Sequence, residues 1–236
     1  MESFEINKSI PLDDWSGIMI STNSATIMVF GDDNADSIRV KFSGKYSTMR
    51  PSINVEKVVK HDGLSISTNE GELGSHFEEL VLHILLPSVY YNGICLKSVN
   101  GSIWADLTMG VIRPIKVGYF REESQKDDIF ANVYAKEMTL INNSGNISLI
   151  GSASEIEAEN VSGNIELTYR DGKATKMKTK TVSGDIDITF EGDYLRLDAD
   201  VKTEKGHEMC FNKRNPRADA IMKVDAKSIS GNIKVG

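Results

Sequence analysis

The residues best placed to do chemistry are two carboxylates, Glu166 and Asp187, which hold equivalent positions in neighbouring copies of a short repeat. Stacked copies would set them one strand spacing apart, about 4.8 Å. A glycoside hydrolase uses a carboxylate pair roughly 5 to 9 Å apart, one acting as acid and the other as base or nucleophile. Polysaccharide lyases and hydrolases built on parallel β-helices place such acids on one outer face. The competing reading is simpler. Every second residue of a strand with one buried face points to water and is commonly charged. No Arg or His recurs beside Glu166 and Asp187. The pair therefore reads first as a solvated strand face and second as a weak surface candidate.

Other chemistry has less support. The histidines His61, His76, His83 and His207 lack metal-ligand spacing with one another or with the cysteines. The segment Gly31-Asp32-Asp33-Asn34-Ala35-Asp36 carries calcium-type ligands without the full EF-hand pattern, and reads as a hairpin turn. There is no phosphate-binding glycine loop and no nucleophile elbow. No catalytic residue, metal site or cofactor is expected. Cys95 and Cys210 make no disulfide framework and read as two buried thiols. Lys176, Lys178 and Lys180, with Lys173 nearby, alternate with inward residues and read as an exposed, edge-protecting strand face.

The elements that position these residues come from the repeat. Its five copies begin at Ser98, Asn142, Asn160, Thr181 and Ser228, each with a glycine three residues on: Gly101, Gly145, Gly163, Gly184 and Gly231. Isoleucine always stands two residues after the glycine, at 103, 147, 165, 186 and 233. Apolar residues fall seven residues before it (Ile94, Met138, Ile156, Met177, Val224), and small or apolar ones five before. This period of two marks two short strands with one buried face, joined at a small-polar corner. The glycines are thus structural corners.

Two glycine gaps are about twice the others, so two degenerate units are expected, at Ile115-Lys116-Val117 and Leu195-Arg196-Leu197. Their polar runs, Arg121 to Asp128 and Thr203 to His207 with Asn212 to Arg217, read as loops. The result is about seven rungs of roughly 20 residues each, a solenoid period.

Residues 1–92 lack the corner yet still read as strands, an antiparallel or irregular β cap on the repeats of 93–236. The chain stops at Val235-Gly236 with no capping element, so the C-terminal end is expected to be an open edge that favours homo-oligomers.

The formal charge of -7 and pI near 5.2 argue against a nucleic-acid partner held through phosphates. No apolar stretch approaches the roughly 20 residues of a membrane span. No signal peptide is visible, so the chain is expected to be cytoplasmic if complete and envelope-associated if trimmed.

A mixed β region, an apolar strand ending at Pro87, and Ser-Gly-Asn/Asp-Ile corners at 20-residue spacing resemble the bacterial DUF4097 family, which carries a "putative adhesin" label. The resemblance is strongest from Ile94 to Gly236. It implies a parallel β-solenoid, right-handed in sense, and supplies no catalytic residues. The expectation is a non-catalytic binding or assembly module with a protein or cell-envelope glycan partner. The alternative is a carbohydrate-active enzyme on the same scaffold.

Overall fold

The computed structural model describes residues 2–13, 17–46, 53–60, 63–70, 77–111, 113–170, 175–191, 195–211 and 220–236, and every regular element among them is a strand. These run Glu2–Pro11 (β1), Gly17–Thr22 (β2), Thr26–Asp32 (β3), Ser37–Tyr46 (β4), Ile53–Lys60 (β5), Gly63–Glu70 (β6) and Phe77–Pro87 (β7). Next come Tyr91–Ser98 (β8), Ile103–Asp106 (β9), Lys116–Ser124 (β10), Ile129–Ser144 (β11), Ile147–Ser152 (β12) and Glu155–Ser162 (β13). The remainder are Ile165–Tyr169 (β14), Thr175–Ser183 (β15), Ile186–Phe190 (β16), Leu195–Lys205 (β17), Glu208–Cys210 (β18), Ala220–Ser230 (β19) and Ile233–Val235 (β20).

The strands pair as two ladders. The first runs β5, β6, β2, β8, β10, β11, β13, β15, β19, β17. The second runs β1, β4, β7, β3, β9, β11, β12, β14, β16, β20, β18. The long strand β11 serves both: its first part pairs with β9 and β12, its later part with β10 and β13. Among the described residues, antiparallel pairing is confined to β1, β4, β5 and the strands they meet, β7 and β6. From the residues before Pro87, β2, β3, β6 and β7 join the same parallel ladders as the corner repeats.

The stack is out of chain order at both ends. Strands β2 and β3 insert between β6/β7 and β8/β9. Strands β19 and β20 insert between β15/β16 and β17/β18. The expectation that the C-terminal strand forms the open end is therefore corrected. Val235 has a paired strand on each side, and the outermost level is β17/β18. Both flanking strands satisfy the last repeat's backbone, and that is what seats it inside.

Two further expectations change. The polar run from Arg121 is not a loop at its start, since β10 continues through Ser124, and Thr203 to Lys205 belongs to β17. In register, Phe120 and Glu122 match Ile94 and Leu96, while Ala199 and Val201 match Val224 and Ala226. The degenerate units are thus displaced by several residues from Ile115 and Leu195. Asp127 replaces the corner glycine in one, and Gly206 is the corner of the other. Residues 212–217 lie outside the described residues. The turn after Gly31 is not a hairpin either, because β7 lies between β3 and β4.

Alternation then builds one continuous core. Ile94, Leu96, Ile103, Met138, Leu140, Ile147, Ile156, Ile165, Ile186 and Ile233 are all buried in a single cluster. Each fully buried aliphatic side chain contributes about 1.5–3 kcal/mol of transfer free energy.

Candidate ligand-binding face

The corner residues hold the stack together from inside. A methyl group on Gly163 would lie 2.1 Å from the Gly145 carbonyl oxygen, and Gly163 has φ 124°, so only glycine fits there. Two residue types complete the corner. Three residues before it, a buried side chain donates to the carbonyl of the level before. Asn142 Nδ2 reaches Asp127 O at 2.9 Å, Asn160 Nδ2 reaches Gly145 O at 2.7 Å, and Ser228 Oγ reaches Gly184 O at 3.2 Å. Thr203 Oγ1 does the same to Gly231 O at 2.9 Å. One residue after the corner, side-chain oxygens accept from the next level's backbone: Asn164 N to Asn146 Oδ1 and Asp185 N to Asn164 Oδ1, both 3.0 Å. At the far end Glu70 takes the carbonyl's place, accepting from Thr22 Oγ1 and from Ala25 N at 3.3 Å. These polar residues are absorbed by architecture.

Glu166 and Asp187 are register partners on the outward row of the second ladder. Glu166 is exposed, while Asp187 is held by Lys234, with Nζ 2.9 Å from Oδ2. Neither lines the cavities found near other parts of the sheet. The lysine row is similarly engaged: Lys176 meets Glu155 at 2.8 Å, and Lys178 meets Glu157. Because β15 is an interior strand, these lysines guard no edge; Lys173 lies outside the described residues.

Farther along that outward row the chemistry changes. Trp104 and Phe130 are register partners, with ring centroids 4.2 Å apart and planes inclined by 27°. Trp104 remains 45% exposed. A shallow cavity of about 310 Å³ lies against them, bordered by Ser102, Asp128, Asn146 and Ser148. Apolar ring surface thus meets hydroxyl, amide and carboxylate groups at one place, the mix that orients small polar ligands. Phe130 is the residue that sequence reading missed. Once Asp127 is taken as a corner, Phe130 falls at the position of Trp104 and Ser148.

Outside that face, His83 packs beside Phe30 with centroids 5.2 Å apart; burial, and secondarily Lys41, lower its pKa. Both cysteines are free, and the expectation that both are buried is corrected, because Cys95 is half-buried and Cys210 exposed. Burial raises the pKa of each thiol. Among the described residues no cluster of three or more His, Cys, Asp or Glu is arranged to hold a metal. No helix among them is long and apolar enough to cross a membrane.

The two ladders define an all-β, stacked-ladder protein. The chain belongs to the Toastrack DUF4097 family, whose sequence profile matches residues 18–236. Among solved structures it is similar to a "putative adhesin" from Parabacteroides distasonis, with 13% identity, 98% of this chain and 97% of that one covered, and TM-score 0.52. It is also similar to a "putative adhesin" from Bacteroides fragilis, with 13% identity, coverage of 99% and 97%, and TM-score 0.49. A third, from Parabacteroides merdae, has 13% identity, coverage of 98% and 96%, and TM-score 0.47. No functionally curated protein matches the chain.

Proposed function

We propose that this chain is a non-catalytic binding module that takes a glycan on the outer face of the second ladder. The observation that carries the reading is the stack of exposed Trp104 on half-buried Phe130, beside a cavity bordered by Ser102, Asp128, Asn146 and Ser148. A pyranose ring offers the matching surfaces, an apolar C–H face and a rim of hydroxyls. The scaffold is read as a right-handed solenoid with seven rungs in residues 93–236, to which residues 1–92 add the parallel levels β2/β3 and β6/β7 and the antiparallel strands β1, β4 and β5 as cap. A glycan-array screen followed by titration of the strongest ligand tests this. Trp104→Ala is expected to weaken binding by about thirtyfold, as for an aromatic anchor worth about 2 kcal/mol. Unchanged affinity in Trp104→Ala and Phe130→Ala would sink it.

The alternative, a carbohydrate-active enzyme, has the register pairing of Glu166 with Asp187 in its favour. Polysaccharide turnover that is abolished by both Glu166→Gln and Asp187→Asn would establish that alternative. Asp187 is already tied to Lys234, so the binding reading stands ahead of it.

A further inference from the structure

Strand β17 is the outermost member of its ladder, and among the described residues only β19 pairs with it. Eleven residues long, it carries an outward row of exposed charges: Arg196, Asp198, Asp200, Lys202 and Glu204. Its inward row, Leu197, Ala199 and Val201, continues the core, but Ala199 and Val201 are only partly buried. A long unpaired edge with an incompletely covered apolar side is a template for another strand.

The charge row is self-complementary in one antiparallel register. With a two-fold axis through Asp200, Arg196 falls opposite Glu204 of a second copy, and Asp198 opposite Lys202. Shifting the register by two residues one way sets Arg196 against Lys202. Shifting it the other way sets Asp198 against Glu204. At the axis the two Asp200 side chains meet, and each already has Lys202 Nζ at 2.9 Å from its Oδ2. Backbone geometry agrees with this register. The Thr203 amide points away from β19, because it donates to Glu208 Oε1 at 2.7 Å. In a parallel strand alternate residues share a side. Ala199 and Val201 therefore also face the free edge, while Asp200 does not.

We propose that two copies of this chain associate by antiparallel pairing of β17 with β17, centred on Asp200, so that the first ladder continues from one copy into the other. In the pair, the Thr203 amide exchanges Glu208 for the Leu197 carbonyl of the second copy. Leu197 then lies opposite Thr203, and Ala199 opposite Val201, which covers the apolar end. This goes beyond the glycan reading and does not depend on it, since the test reads mass and cross-linking without any ligand.

Sedimentation equilibrium on the full chain across micromolar concentrations should give a reversible dimer. Lys202→Glu turns two attractive cross-strand pairs into repulsive ones and should weaken the dimer by about tenfold or more. The charge exchange Asp198→Lys with Lys202→Asp should restore it. In a Cys95→Ser/Cys210→Ser background, Asp200→Cys should oxidise to a covalent dimer. Its position is a non-hydrogen-bonded pair with Cα atoms about 4.5 Å apart, within disulfide reach. Asp198→Cys, which faces residue 202 of the second copy, should not. These side chains all point to solvent, so circular dichroism should show the fold intact. A monomer at every concentration with no cross-link at Asp200, or a dimer indifferent to Lys202→Glu, would overturn the proposal.

Discussion

Glu122 offers the sharpest test of how the core is built. It sits inward on β10 between Leu96 of β8 and Leu140 of β11 in register, and it is 0% exposed. Neither carboxyl oxygen has a hydrogen-bond partner among the described residues. Burial pushes its pKa well above the ordinary carboxylate range, so folding favours the neutral acid. In the unfolded chain the same group ionises near its ordinary value. Between those two pKa values the native state binds more protons than the unfolded state, so stability falls as pH rises, by about 1.4 kcal/mol per pH unit from this residue. Below the ordinary value the effect vanishes.

Two substitutions separate the contributions. Glu122→Gln removes the proton linkage but keeps a buried polar group without a partner, at about 1–3 kcal/mol. Glu122→Leu removes both, and leucine is already the residue on either side. Urea denaturation from pH 4 to pH 8 reads the outcome. Glu122→Leu should gain about 2 kcal/mol at low pH, where only the unpaired group matters. Its advantage should widen as pH rises, while Glu122→Gln should share the flattened pH dependence with a smaller gain. If Glu122→Leu lowers stability, or loses stability with pH as steeply as the parent, the buried acid is wrongly understood.

Other expectations follow from the corners and the thiols. Gly163→Ala should lower stability by about 2–4 kcal/mol in the same denaturation assay, from the left-handed backbone and the contact with the Gly145 carbonyl. Asn160→Leu leaves the Gly145 carbonyl without its side-chain donor and should cost about 1–3 kcal/mol; equal stability would show that this bond is dispensable. Timed iodoacetamide labelling read by peptide mass should find Cys210 modified before Cys95, because Cys95 is half-buried and Cys210 exposed. Lys176→Ala should change stability by less than about 1 kcal/mol, because both Lys176 and its partner Glu155 are exposed.

Five corners, the alternation around them and the outward places of Glu166 and Asp187 were legible in the residues, because each depends on neighbours in the chain. The degenerate corners were not. Asp127 stands where the pattern asks for glycine, and Glu122 places a charge-bearing residue on an inward position, so that stretch reads as solvated loop. The same displacement concealed Phe130, and with it the aromatic stack on the candidate face. Trp104 alone was visible at the right repeat position.

The local unit follows from the residues alone: a strand, a small-polar corner, and a second strand with one apolar side. Backbone sterics and period-two burial settle that within about 20 residues. The order of the levels rests instead on pairing between segments far apart in the chain. The β2/β3 level inserts between β6/β7 and β8/β9, and the β19/β20 level one place inward from the β17/β18 end, because ladder partners are chosen by backbone pairing and core contact between distant segments. That choice leaves β17, an internal segment of the chain, as the outer strand of its ladder.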